Sequence, residues 1–202
     1  MGNVLITAVE PQKKNKERYN IFVDGEYFAS LGAESCAVYG VKSGETISEE
    51  KLAEAVKRDN ERYAFDATAK YLEYGMRTKR EVECRLADKN IGADAIAAAI
   101  EKLESYGYID DFAYAREYVQ SAMAQGKSRR AAEYALKEKG IERNAAAEAM
   151  SAYSCDDEMR IAKKLAQDLK RQKKDRRQAY AALARRGFDY DIISAVLSED
   201  EP

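Results

Sequence analysis

An internal repeat is the strongest constraint on what this chain can fold into. Lys89-Asn90-Ile91, Lys139-Gly140-Ile141 and Arg186-Gly187-Phe188 are equivalent points, spaced 50 and 47 residues apart. The same offsets superpose Leu86, Leu136 and Leu183 upstream, then Ile96, Ala146 and Ile193, and Ile100, Met150 and Leu197 downstream. An apolar pattern that survives this shift is a core pattern, so one structural unit is written three times.

Helix boundaries repeat with it. Thr78, Ser128 and Asp175 are good N-caps, and Thr78 opens a capping box with Glu81. Asn90, Gly140 and Gly187 tolerate the left-handed conformation that closes a helix, and each precedes an apolar residue able to fold back. Asp94, Asn144 and Asp191 mark the start of the next helix. Each unit therefore reads as three helices, over residues 60–108, 109–155 and 156–202. A unit this small is marginal alone. Stacking the units would bury their spare apolar faces in an elongated, curved array.

Residues 1–59 read differently. Val4 to Val9 is rich in β-branched residues, and after a charged loop from Pro11 to Arg18 two apolar-aromatic runs, Tyr19–Val23 and Glu26–Leu31, flank Asp24-Gly25. That dipeptide suits a two-residue primed turn, in which both central residues take positive φ. Ala33 to Tyr39 reads as a short helix ending at Gly40, and Ser48 with Glu49 and Glu50 opens a long helix to about Tyr74. The expected class is mainly α, with roughly 65–75% helix and one small β-hairpin.

Composition removes several functions. The 202 residues hold 34 Lys+Arg against 36 Asp+Glu, no His, no Trp, and prolines only at Pro11 and Pro202. Without histidine there is no Ser-His-Asp triad, no Cys-His pair and no imidazole base or ligand. Cys36, Cys84 and Cys155 are far apart and odd in number, which fits a reducing cytosol and thiols that are buried or half-buried. The longest apolar run, Ala95–Ile100, is far short of a membrane span, and the N-terminus has no basic segment followed by a hydrophobic one, so secretion is not expected. A myristoylation pattern from Gly2 fails at Ile6. The expectation is a cytoplasmic monomer with no membrane segment, catalytic group, metal or cofactor.

The repeat also superposes cations: Arg77, Lys127 and Lys174; Lys79, Arg129 and Arg176; Arg80, Arg130 and Arg177; Lys89, Lys139 and Arg186. The plain explanation is a solvated helix face. Against it, the second and third sets fall in the first turn of a helix, where the dipole disfavours cations, so helix stability does not account for them. Residues 160–186 hold 11 basic side chains against Asp168 and Asp175, an excess of +9, whereas residues 1–110 hold 16 basic and 20 acidic ones. These twelve cations are the candidate contacts for an anionic partner.

Other motifs carry less. Gly126-Lys127-Ser128 resembles the end of a phosphate loop, but the required earlier glycine is Ser121 and no strand precedes it. Asp110-Asp111 reads as the cap of the second unit's first helix rather than a metal site. Tyr106, Tyr108, Tyr114, Tyr118 and Tyr134 could stack bases, but their helical spacing reads first as core.

Gly107-Tyr108-Ile109-Asp110-Asp111-x-x-Tyr114-Ala115-x-x-Tyr118-Val119 is followed by Gly126-Lys127-x-x-Arg130 and Leu136-x-x-Lys139-Gly140-Ile141. Leu183-x-Arg185-Arg186-Gly187-Phe188-x-Tyr190-x-x-Ile193 completes the pattern. Over residues 60–200 this resembles the RecX family of recombinase regulators. The resemblance implies a non-enzymatic bacterial protein of three tandem three-helix repeats that binds the RecA recombinase and its filament on single-stranded DNA. It further implies a modulator, generally an inhibitor, of RecA's ATPase, strand-exchange and coprotease activities, with DNA bound directly by some members. A DNA-binding module is the rival reading. Met123-Ala124-Gln125 and Arg77-x-x-Arg80 depart from the family's pattern, so its contact residues are not carried over.

Overall fold

A computed structural model describes residues 2–13 and 15–198. Met1, Lys14 in the charged loop and the last four residues of the expected third repeat lie outside the described residues. Helix makes up about 62% of the described residues. The shortfall from the expected range lies at the N-terminus, where the hairpin is part of a four-stranded antiparallel sheet. Its strands are β1 (Asn3–Pro11), β2 (Arg18–Val23), β3 (Glu26–Gly32) and β4 (Thr46–Ser48), in the order β3-β2-β1-β4. The β2–β3 turn is Asp24-Gly25, at φ of 49° and 89°, the primed geometry that Asp-Gly favours.

Two compact units divide the chain, residues 1–75 with 83–106 and residues 76–82 with 107–202. In the first, the sheet turns Ile6, Ile21 and Leu31 inward against α1 (Ala33–Tyr39) and α2 (Glu49–Leu72), where Cys36, Leu52 and Ala55 complete the core. Ser48 caps α2 as its sequence signal requires, accepting from Lys51 N. One buried ion pair, Arg18 Nη2 to Asp59 Oδ2 at 2.9 Å, joins β2 to α2. Asp59 is further satisfied by Gly32 N at 3.0 Å and the Ser35 hydroxyl at 2.5 Å. A buried carboxylate survives only with such partners. Its charge, after burial itself, helps hold the neighbouring Cys36 thiol above its ordinary pKa. Helices α3 (Lys79–Ala87) and α4 (Ala93–Ser105) follow, with α4 packed on α2 and α3 lying across the division between the units.

The second unit holds two three-helix sets: α5 (Asp111–Ala124), α6 (Arg129–Glu138) and α7 (Arg143–Ser151), then α8 (Cys155–Arg171), α9 (Arg176–Arg185) and α10 (Tyr190–Ser198). Leu86, Leu136 and Leu183 are all at most 1% exposed, so the repeated leucine is a core anchor in every repeat. The helix ends match as well. Ile91 N, Ile141 N and Phe188 N donate back to the carbonyls of Leu86, Leu136 and Leu183, and Asn90, Gly140 and Gly187 have positive φ. Capping boxes close at Thr78–Glu81 and Asp175–Gln178, and Ser128 accepts from Ala131 N.

Asp94, Asn144 and Asp191 mark the start of the last helix of each repeat, which begins one residue before them, and Asn144 Oδ1 accepts from Ala145 N at 2.8 Å. Other expectations give way. Cys84 and Cys155 are exposed, leaving only Cys36 as a buried thiol. Tyr114 and Tyr118 pack against the second repeat's core, but Tyr106, Tyr108 and Tyr134 are mostly exposed. Helical spacing alone did not separate the two groups, because a tyrosine serves either face.

Candidate functional site

The repeated first turn of each middle helix is where most of the candidate cations gather, and in the second unit it is also where successive repeats meet. At the first such junction the Thr78 hydroxyl donates to the Lys139 carbonyl at 2.8 Å. Lys79 N donates to Asp111 Oδ1 at 3.0 Å, so a carboxylate from α5 satisfies a free amide at the start of α3. Lys139 Nζ bonds Glu81 Oε1 at 2.8 Å and lies 5.3 Å from the Tyr114 ring centroid. The Arg80 stem lies over Gly140 so closely that a Cβ there would sit 2.3 Å from Arg80 Cδ.

The second junction repeats the first. Ser128 N donates to the Arg186 carbonyl at 3.0 Å, and Arg129 N donates to Glu158 Oε1 at 2.9 Å. Gly187 lies against Ser128 and Ala131, as Gly140 lies against Arg80. Arg130 pairs with Asp189 at 2.7 Å, and the Arg129 guanidinium reaches Cys155 Sγ at 3.1 Å. Buried Tyr153 donates to the Lys127 carbonyl at 2.6 Å, while the Lys127 ammonium stands 5.5 Å from the Tyr118 ring.

These contacts shift the ionisations. Hydrogen bonds donated to Glu81 and Tyr114 hold the Lys139 ammonium charged well above the ordinary lysine range. Burial pushes Glu81 up, but the bonds from Lys139 and Thr78 N outweigh it and leave the carboxyl below its usual value. Burial, followed by the nearby Glu158 and Asp157 charges, raises the Tyr153 hydroxyl to about 12.

The twelve candidate cations therefore fall into groups. Lys127, Arg129, Arg130, Lys139 and Arg186 have partners inside the fold; the Arg186 guanidinium reaches the Gln125 carbonyl at 3.4 Å. Arg77 and Lys79 are half-buried, and Arg80 covers Gly140. Lys89, Lys174, Arg176 and Arg177 are exposed. Helix stability thus accounts for more of these cations than the dipole alone suggests, because junction partners compensate for it. The partners Asp111 and Glu158 were missed in the sequence, although they stand 47 residues apart, the repeat offset itself. Asp110 is the cap of α5, accepting from Ala113 N at 2.9 Å, and Asp111 belongs to the junction.

Among the described residues no cluster of three or more Cys, Asp or Glu is placed to hold a metal ion, and no helix is long and apolar enough to cross a membrane. A four-stranded sheet followed by three capped three-helix units defines a tandem helical-repeat protein. Family models match it in the same order: Regulatory protein RecX N-terminal domain at residues 4–48, and the first, second and third three-helix domains of RecX at 64–103, 110–150 and 156–197. The chain belongs to the RecX family.

Similar proteins include Regulatory protein RecX of Clostridium acetobutylicum, 33% identical over 67% of this chain and 63% of that protein. Regulatory protein RecX of Lactobacillus delbrueckii subsp. bulgaricus is 37% identical over 68% of this chain and 51% of that protein. The chain thus spans between half and two thirds of the length of these relatives. A crystal structure of regulatory protein RecX aligns over 96% of this chain and 99% of that one, with a TM-score of 0.63 and 26% identity. RecX from Lactobacillus salivarius aligns over 70% of this chain and 97% of its own, with a TM-score of 0.61 and 30% identity.

Proposed function

We infer that the chain modulates the RecA recombinase, acting chiefly as an inhibitor of its ATPase, strand-exchange and coprotease activities by binding the RecA–single-stranded DNA filament. It would act as a cytoplasmic monomer through contact surfaces alone, without catalytic chemistry, in the control of recombinational DNA repair and the SOS response. Its working units would be the N-terminal segment, 1–59, and the repeats 60–108, 109–155 and 156–202. Beyond membership of the family, one observation supports the reading. The third repeat keeps Lys174 and Arg177 exposed to solvent, inside the stretch with an excess of +9, while the second repeat uses its own cations in junctions.

Several modest contacts along a polymer add through effective concentration, which suits a repeated surface. The same exposed cations support a second reading, a helical module that binds DNA phosphate directly, on single or double strands. One experiment addresses both. RecA ATPase on single-stranded DNA is titrated with the protein, and binding to DNA, to RecA and to the filament is measured at two salt concentrations. Inhibition below RecA stoichiometry with weak binding to bare DNA is the expected result. Strong, salt-steep binding to DNA without RecA, and an ATPase that does not respond, would favour the second reading.

A further inference from the structure

Tyr180 and Tyr190 lie side by side on the third repeat, ring centroids 6.5 Å apart and planes tilted by 59°. They are 40% and 69% exposed, while the core of that repeat is made by Leu183, Phe188, Ile193 and Val196. The repeated architecture does not ask for them. The positions 47 residues earlier are Glu133 and Arg143, and those 50 earlier again are Glu83 and Ala93. The aromatic pair is therefore an addition peculiar to this repeat, and it keeps ring surface in water.

Its surroundings indicate what covers it. Arg177 precedes Tyr180 by three residues on α9, a spacing that puts side chains on one helix face, and it is exposed. Aromatic faces beside a guanidinium group match a polymer that alternates flat π-surfaces with negative charges.

We propose that Tyr180 and Tyr190 form a base-stacking platform for single-stranded DNA, with Arg177 on an adjacent phosphate. The site deepens the proposed function, on which it rests for the source of the strand. It is tested without recombinase, so its failure is distinct from failure of the ATPase titration.

The probe is a labelled oligothymidylate, compared with a duplex of similar length. Replacing both Tyr180 and Tyr190 by Ala should lower single-strand affinity about tenfold while leaving the salt dependence unchanged, because stacking releases no counterions. Phe at both positions should retain the affinity, and Arg177→Gln should make the salt dependence shallower. Because the chain has no tryptophan, Tyr190→Trp supplies a single reporter whose emission a stacked base quenches, and it works even if the double Ala variant folds poorly. Unchanged affinity of a folded double Ala variant, an equal loss on duplex, or an unquenched Tyr190→Trp protein at saturating oligonucleotide would each overturn the platform.

Discussion

The Thr78 hydroxyl donates a 2.8 Å hydrogen bond to the carbonyl of Lys139, 61 residues further along the chain. The same hydroxyl accepts from Glu81 N and so caps α3. One side chain thus starts a helix in the first repeat and ends a helix in the second. Local helix formation and repeat docking are coupled through it.

Thr78→Val keeps the shape but removes both bonds. Losing an N-cap and leaving a carbonyl short of a partner should cost about 1–2 kcal/mol, read as a lower urea midpoint with an unchanged slope. Thr78→Ser should restore most of it. A midpoint unmoved by the Val variant would show that the junction adds nothing to stability.

Gly140 tests close approach. Its φ is 77° and Arg80 crowds the place of a Cβ. Gly140→Ala therefore meets both backbone strain and a clash, together about 2 kcal/mol or more. Adding Arg80→Ala should recover only part of the clash, because the retained Cβ would still stand 2.6 Å from the new one, and it leaves about 1 kcal/mol of backbone strain. A double-mutant cycle reads the two apart.

How much of this was legible follows from what a repeat reveals. Leu86, Leu136 and Leu183, the three caps and the left-handed closers are local or periodic, so the sequence carries them directly. The short strand β4 and the recruitment of β1 into the sheet depend on pairing between segments some forty residues apart, such as Val4 with Ile47, and no local signal encodes that. Recurrence at the middle-helix first turn was visible, but recurrence does not say whether a cation faces solvent or a carboxylate of the next repeat. Reading Asp111 and Glu158 at the same offset as the cations would have identified the junction.

Acid and alkali should act on that junction separately. The Glu81 carboxyl lies below the ordinary glutamate value of 4.5, so its contribution is present above that pH and is lost as pH falls through the depressed folded-state value. Lys139 lies above the ordinary lysine value of 10.5, so its contribution is complete below that pH and fades as pH rises through the raised value. Glu81→Gln should cost about 1 kcal/mol at neutral pH and flatten the acid limb of stability. Unfolding midpoints of both proteins from pH 3 to 8, on the scale of ordinary carboxylate pKa values, check it; parallel curves would contradict the pairing.

Lys173 is a non-glycine residue at φ of 58°, and its counterpart 47 residues earlier is Gly126. Gly126 lies against Leu165 and Arg186, where a side chain would clash, whereas Lys173 is exposed and tolerates one. The left-handed backbone strains Lys173 but not Gly126. Lys173→Gly should therefore raise stability by about 0.5 kcal/mol, measured by thermal or urea unfolding.

Charge reversal separates junction from surface. Arg130 lies beside Asp189 at 2.7 Å, so Arg130→Glu brings two carboxylates together. The pair is largely exposed, and the reversal should cost about 0.5–1 kcal/mol. Arg177 sits exposed in the first turn of α9, where a carboxylate is favoured by the dipole, so Arg177→Glu should leave stability unchanged or raise it by a few tenths of a kcal/mol. If the third repeat contacts the filament, Arg177→Glu together with Lys174→Glu weakens binding at native stability. Arg130→Glu weakens it only as far as the fold is perturbed. Glu49 and Glu50, in the first turn of α2, are the control, and reversing them should leave binding intact. Filament binding and RecA ATPase titrations of these variants, each beside its urea midpoint, decide the matter. Full modulation by the folded Lys174→Glu, Arg177→Glu protein would return the exposed cations to the role of a solvated face.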